Sequence, residues 1–484
     1  MACFFLLSFS TAQAVDNIWT FDAELQKAYE LILNLRTEEA TQLLLKNTKS
    51  NALHKSYLLS FSETLEILIT EDEKKFELVD EKIKQRIAQA EDAPENAETL
   101  FLQAELTLQR AFNYINLNQN VSATFALRRA YNLTEDCIKK YPSFIPIKKT
   151  SGVIQVMVGS IPDKFSWLVS LMGMHGSVPV GQKQLEDLRL SKSSLSREAT
   201  ILFFTVKGFI NLQFEEAAKG IQECLKTEPD NRLLLFIGVN MFFKSSQSEE
   251  AYKLIEEADK NKKGLQIVYL EYLRAETLLQ KGEYAKAIPV YQNFIKTFNS
   301  KNLKKDAYYK IAICHWLLNQ PEQARQNYEK AKVTGREMAD PDKFAAKQLE
   351  DPKFPNAKIL RVRFFTDGGY FKEATEAIQL ISYSELTTQK DKTEYAYRKG
   401  RLAHKMGDIN AAKTFYQQTI EMTGTNSWYF APNAALQLGY IAQSEKDYAN
   451  AKKFFEKAMS YKRHEYKSSI DTKAKAALKA QKSF

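Results

Sequence analysis

Seven alanines recur along the chain and constrain its fold more than any other feature: Ala217, Ala251, Ala287, Ala324, Ala374, Ala412 and Ala451, at intervals of 34, 36, 37, 50, 38 and 39 residues. The fullest copy of the surrounding pattern is Gly282-Glu283-Tyr284-Ala285-Lys286-Ala287. Gly369 with Phe371 and Ala374, Gly407 with Ile409 and Ala412, and Asp447 with Tyr448 and Ala451 repeat it. In each copy a turn residue precedes a large apolar residue, and the alanine follows three positions later. Four residues past the alanine stands another large group, Tyr291, Ile378, Tyr416 or Phe455, and Ile221 holds this place after Ala217. Residues four apart share a helix face. The spacing therefore predicts a helix whose small residue admits a neighbour and whose large residue fills the space beside it.

Twelve residues before five of these alanines come Ala275, Ala312, Val362, Gly400 and Gly439. Four of the five are small, as close helix contact requires; Val362 departs, and so does Thr205 ahead of Ala217. This register resembles the tetratricopeptide (TPR) repeat, a helix pair of about 34 residues with small residues at its eighth and twentieth positions. The resemblance covers the C-terminal half. It implies an all-α fold, a TPR-like helical-repeat solenoid in which antiparallel helix pairs wind into a right-handed superhelix. It further implies a concave groove lined by the first helix of each pair, with ligand-facing side chains near repeat positions 2, 5, 9 and 12. Position 5 falls on Tyr272, Tyr309, Ile359, Tyr397 and Leu436, and position 9 on Glu276, Ile313, Arg363, Arg401 and Tyr440. His404 stands at position 12. The expected partner-binding residues are thus Tyr272, Tyr309, Arg363, Tyr397, Arg401, His404 and Tyr440. Tyrosine rings interleaved with arginine forks suit an extended peptide or a partner helix. The Lys and Asn set of a dicarboxylate clamp for chaperone tails does not occur.

The chain divides by composition into five parts. Residues 1–14 are apolar and end in Ala12-Gln13-Ala14, the form of a secretory signal cleaved after Ala14. The basic n-region is missing, and a start upstream of Met1 would supply it. Residues 15–142 read as an N-terminal helical region with degenerate repeats. Residues 143–196 hold a hydrophobic helical hairpin insert, apolar from Gly152 to Ile161 and again from Phe165 to Gly173. Its Ile161-Pro162, Trp167, Leu171-Met172-Gly173, Gly176, Gly181 and Leu185 are similar to a signature of the inclusion-body-clearance family of TPR proteins. That second resemblance spans about forty residues and implies an all-helical scaffold with a hydrophobic insert ahead of the repeats. Residues 197–461 are the regular array. The 50-residue interval within it carries Asp340-Pro341-Asp342 and Asp351-Pro352-Lys353-Phe354-Pro355, read as an inserted connection. Pro289 lies inside a predicted helix and should kink it. Residues 462–484 read as a basic capping helix.

The sequence supplies no catalytic set. None of the five histidines has a second His or Cys at ligand spacing, and His-Glu-x-x-His, Cys-x-x-Cys, Gly-x-Ser-x-Gly and Gly-Lys-Ser/Thr are all missing. No enzyme activity, metal or cofactor is expected. The formal charge of +9 spread over 484 residues gives no block that points to nucleic acid. Cys137, Cys224 and Cys314 sit far apart in apolar helical surroundings and read as free thiols. The expectation is a non-enzymatic protein-binding scaffold exported to a bacterial periplasm or envelope, with a protein or peptide ligand; without the leader it would be cytoplasmic. A second reading is a peripheral membrane- or lipid-associated protein that uses residues 152–172 and the basic tail.

Overall fold

The computed structural model describes residues 17–161, 170–260 and 262–481, with side chains to residue 478. Twenty-four α-helices and no strand occur among the described residues, so the all-α, TPR-like helical-repeat fold is the one the chain adopts. Its contacts separate two compact units. The first runs to Ile237 and takes in the stretch that ends at Gln266; the second holds Gly238–Lys260 and everything from Ile267. The expected leader, residues 1–14, lies outside the described residues.

In the first unit, helices α1 (Ala23–Leu33), α2 (Thr37–Lys46), α3 (Ala52–Thr70), α4 (Glu73–Asp92), α5 (Ala97–Asn116) and α6 (Asn120–Lys140) come first. Several begin on a side chain that takes up orphan amide protons. Asp22 accepts from the Leu25 amide at 2.9 Å, and Asn96 and Thr99 satisfy each other's backbone in a capping box. Helix α5 is buried along most of its length and packs against α3, α4 and α6. Helices α7 (Ile147–Gly159) and α8 (Val178–Arg189) follow, then α9 (Ser196–Thr205), which continues into a π turn over Val206–Ile210, and α10 (Phe214–Thr227). A methyl group built on Gly181 would lie 2.4 Å from the Gly152 carbonyl oxygen, so two glycines let α7 and α8 meet backbone to backbone. Val153, Ile154, Val156 and Val158 are consequently buried, and the first half of the hydrophobic insert is core. Leu171 is 75% exposed, while residues 162–169, including Trp167, lie outside the described residues.

One polar centre is sealed inside this unit. The Lys149 ammonium lies 2.8 Å from Glu105 and 2.7 Å from Glu198, and it also donates to the Tyr57 hydroxyl. Thr150 donates to Glu105 at 2.7 Å and Tyr57 to Glu198 at 2.7 Å. Burial pushes the Glu198 carboxyl above its ordinary value, although the Lys149 ammonium opposes this.

Helix α11 (Arg232–Lys244) carries the chain from one unit into the other, and α12 (Ser248–Lys260) belongs to the second. There the repeat pairs are α13 (Tyr269–Gln280) with α14 (Tyr284–Thr297), α15 (Lys304–Leu317) with α16 (Pro321–Val333), α18 (Ala357–Gly368) with α19 (Phe371–Gln379), α20 (Gln389–Lys405) with α21 (Ile409–Thr423), and α22 (Phe430–Ser444) with α23 (Tyr448–Ser460). All seven periodic alanines are completely buried. Their partners on the preceding helix explain the small residues twelve positions earlier: a methyl group on Gly439 would sit 2.5 Å from the Phe455 ring, and one on Gly400 2.8 Å from the Tyr416 ring. Helix α14 continues through Pro289. Pro289 and Ala285 both face solvent, so the Ala285 carbonyl that loses its helical donor can be hydrated.

The 50-residue interval is more than a connection. It folds its own helix, α17 (Asp340–Gln348), whose Asp342 accepts from the Leu303 amide at 2.6 Å and the Asp306 amide at 2.9 Å. The inserted segment thereby caps the start of α15. Helix α24 (Lys467–Gln481) packs Ile470, Ala474 and Ala477 against the last pair.

Candidate ligand-binding face

The first helices α18 and α20 supply arginines, and α17 with the stretches just before α22 and α24 supplies the rings beside them. The Arg363 guanidinium lies 5.1 Å from the centre of the Phe344 ring, and Phe344 stacks on Tyr466 at 5.7 Å. Tyr466 meets Tyr429 edge to face at 5.1 Å, and the Tyr429 hydroxyl accepts from Arg398 at 2.8 Å. Arg398 is buried and forks onto Glu394 at 2.6 and 3.1 Å, so its charge is already matched. Arg401, one helix turn further on, is only half-buried and donates to the neutral Gln437 at 3.3 Å. Arg363 is half-buried too, with Asp367 at 3.5 Å.

The seven expected residues do not all reach a ligand. Tyr272, Tyr309 and Tyr397 are buried between helices, and this corrects the reading that they offer ring faces to a groove. Tyr272 donates to the buried Asp306 carboxylate at 2.6 Å, and Tyr397 packs on Tyr416, Tyr429 and Phe430. Tyr309 meets Phe344 edge to face at 6.2 Å, so it supports the cluster from behind. The physical reason is neighbour packing: a repeat position that turns inward meets the next helix before it meets a ligand. Arg363, Arg401, His404 and Tyr440 retain access to solvent. His404 shares a hydrogen bond of 3.2 Å with the Tyr416 hydroxyl, and burial together with the nearby Arg401 charge lowers its imidazole to about 4. It is neutral at pH 7. Tyr440 rests its ring on Phe455, and burial raises its phenol to about 12.

Phe344, Tyr429 and Tyr466 were not among the expected residues. They stand in the inserted helix and in the stretches just before α22 and α24, outside the repeat register that pointed to the other positions. Arg398, three residues before Arg401, is likewise off that register. The tail contributes Lys473, whose side chain reaches solvent yet is held below its ordinary value, first by the surrounding protein and then by Lys244 and Arg401.

Among the described residues no three His, Cys, Asp or Glu side chains stand close enough to hold a metal ion. Cys137, Cys224 and Cys314 are free, and burial pushes the Cys137 thiol up to about 12. Among the described residues no helix is long and apolar enough to cross a membrane.

Residues 272–339, 393–426 and 432–465 match tetratricopeptide repeat models, and the chain carries tetratricopeptide repeats. These matches fall on α13 to α16 and on α20 to α23, and they take in Arg398, Arg401, His404 and Tyr440 but not Phe344, Arg363, Tyr429 or Tyr466. Stacked helix-pair repeats act as protein-interaction scaffolds, and that broad statement holds for this chain. No curated protein sequence matches it significantly. Similar solved structures include a Rap protein complexed with competence and sporulation factor, at 10% identity over 87% of this chain and 99% of that one, with a TM-score of 0.32. Another is the human IFIT1 dimer with PPP-AAAA, at 14% identity over 91% and 95% of the two chains and a TM-score of 0.32. A third is the APC/C hetero-tetramer Cut9-Hcn1, at 11% identity over 94% and 89% and a TM-score of 0.28. Likeness at this level carries no functional argument.

Proposed function

We propose that this protein is a non-enzymatic scaffold that holds a peptide or a partner helix on the first-helix face of its second unit. The observation that carries the reading is the half-buried Arg363 guanidinium over Phe344, in a set of rings continued by Tyr466 and Tyr429, with the half-buried Arg401 one helix turn beyond the Arg398 that meets Tyr429. Rings already fixed by one another lose little freedom on binding, and arginine next to aromatic surface is the usual composition of an interaction hot spot. His404 and Tyr440 extend the face, while Tyr272, Tyr309 and Tyr397 hold its helices in place from within.

A photo-crosslinking side chain introduced at position 440 tests this in cells. The expected result is a discrete protein adduct from 440, none from position 452 on the outer side of α23, and loss of the adduct when Arg363 and Arg401 are both replaced by alanine. Equal adducts from both positions would remove the face from consideration. The envelope location rests on the Ala12-Gln13-Ala14 pattern alone. It requires a mature chain that starts at Val15, which intact mass measurement of the protein from its own cells would read.

A further inference from the structure

The inserted helix α17 is fastened to α15 beside two buried carboxylates that lack a counterion. Asp306 is 1% exposed; its Oδ2 accepts from the Tyr272 hydroxyl at 2.6 Å, and its Oδ1 has no hydrogen-bond partner. Asp342 is completely buried and spends its oxygens on the amides of Leu303 and Asp306, at the start of α15, where a helix favours negative charge. The cations around them are engaged elsewhere. Lys310 donates to both oxygens of Glu276 at 2.9 Å, and Glu276 also accepts from Tyr291. Lys305 donates to the Ala331 and Lys332 carbonyls at 3.2 and 3.0 Å and lies 3.7 Å from Glu337. Arg363 stands over Phe344 with Asp367 at 3.5 Å. Among the described residues neither Asp306 nor Asp342 makes an ion pair. A carboxylate removed from water without a counterion neutralises itself by taking up a proton. The two amides favour the ionised form of Asp342. Asp306 has only the Tyr272 hydroxyl, which serves either form, since it donates to a carboxylate and accepts from an acid. The proton therefore belongs on Asp306.

We propose that α17 is a proton-operated clasp: it stays docked on α15 while Asp306 carries a proton, and it loosens when Asp306 ionises beside Asp342. Burial raises the Asp306 carboxyl to about 7; Glu276 and Asp342 add to the rise, while Lys310 and the Tyr272 hydroxyl oppose it. In the open form water reaches Asp306 and the ordinary value of 3.8 returns. The docked form thus holds the proton more tightly than the open one. Docking is strongest below about 4, weakens as pH climbs to about 7 and changes no further above it. Helix α17 carries Phe344, so loosening takes that ring away from Arg363 and Tyr466. This control of the ligand face rests on the scaffold reading above; the clasp itself does not.

The test is hydrogen–deuterium exchange of the full chain at about pH 5.5 and about pH 7.5, corrected for the intrinsic pH dependence of amide exchange. Protection of residues 340–348 should fall about twentyfold between the two, while that of α10 stays the same. Asp306→Asn keeps the shape of the side chain and cannot ionise, so residues 340–348 should be equally protected at both pH values. The same variant separates the clasp from His464, which stands next to Tyr466 and whose imidazole burial lowers. Should Asp306→Asn not fold, Tyr272→Phe decides the matter. It removes a hydrogen bond that favours the ionised carboxyl and should move the loss of protection to higher pH. A hydroxyl with a merely structural role would instead lower protection equally at every pH. Protection of α17 that does not depend on pH, a pH dependence that survives Asp306→Asn, or an equal loss at every pH in Tyr272→Phe would overturn the clasp. If α17 fails in this way and position 440 still gives its adduct, the scaffold reading stands without the clasp. If the pH dependence is found and position 440 gives no adduct, the clasp stands and the scaffold reading falls.

Discussion

Replacement of Gly439 by alanine sets two opposed effects against each other inside one repeat. The added methyl would lie 2.5 Å from Cε1 and 2.6 Å from Cδ1 of Phe455, where carbon atoms ordinarily keep about 3.5–4.0 Å apart. A ring cannot yield as a flexible chain end would. Phe455 is completely buried and already rests on Tyr440 at 5.4 Å, so relief requires helices α22 and α23 to separate by about 1 Å. Overpacking of this kind costs about 1–3 kcal/mol, and the rigid partner puts the cost at about 3 kcal/mol. Alanine recovers about 1 kcal/mol of helix propensity. The net expectation is a loss of about 2 kcal/mol, read by urea unfolding and by faster amide exchange confined to α22, α23 and α24. Phe455→Leu in the same chain makes room, so the double variant should lose at least about 1 kcal/mol less than the two single losses added together. Gly407→Ala is the companion measurement. Its φ is +84° with nothing within 4 Å of the added methyl, so its cost of about 1 kcal/mol is backbone strain and no change at Phe455 alters it. If Gly439→Ala stabilises the protein, or shows no coupling to Phe455, the explanation of the small residue at this repeat position is wrong.

Two further outcomes follow from buried charge and a third from a close backbone contact. His404 is held at about 4, below its ordinary 6.5, so the unfolded chain binds the proton more readily and stability is lost as pH falls from about 6.5 to about 4. At full weight this gap corresponds to about 3 kcal/mol; solvent access to the ring cuts it to about 1–2 kcal/mol, and His404→Gln should remove that slope from a pH series of unfolding curves. Lys149→Met strands Glu105 and Glu198 together in the core and should cost about 3–5 kcal/mol at pH 7. Because burial already raises the Glu198 carboxyl, the Lys149→Met deficit should shrink as pH falls toward 4.5, where a proton replaces the missing cation; a deficit independent of pH would contradict this. Gly181→Ala should separate α7 from α8 by pressing on the Gly152 carbonyl oxygen, with a loss of about 2 kcal/mol in the first unit and none at Gly439.

The sequence made the repeat legible because its rule is local. An alanine, a large residue four places on and a small residue twelve places back fix the contact within one helix pair, and every periodic alanine is buried as that rule requires. Position 5 was harder to read. Tyr272, Tyr309 and Tyr397 occupy a face turned inward, and a sequence pattern does not say whether a neighbouring helix or a ligand meets that face first. The connections were harder still. Phe344, Tyr429 and Tyr466 lie outside the register, and no spacing relates them to Arg363 or Arg398. The Lys149 centre joins residues from Tyr57 to Glu198, a separation over which side-chain chemistry leaves no periodic trace.

The two sources of the face divide its work. The register contributes arginines at one place in successive first helices, and a stack of such helices would by itself give a row of solvated charges of small individual effect. The irregular parts change their environment. Helix α17 brings Phe344 under Arg363, and the stretches before α22 and α24 bring Tyr429 and Tyr466 beside Arg398. Each ring displaces water from one side of a guanidinium and so raises what a carboxylate on the other side is worth. The inserted segment that interrupts the 34-residue period is therefore the source of the ring beneath Arg363. On the proposed reading, its removal should weaken the adduct from position 440 at least as far as loss of Arg363 does.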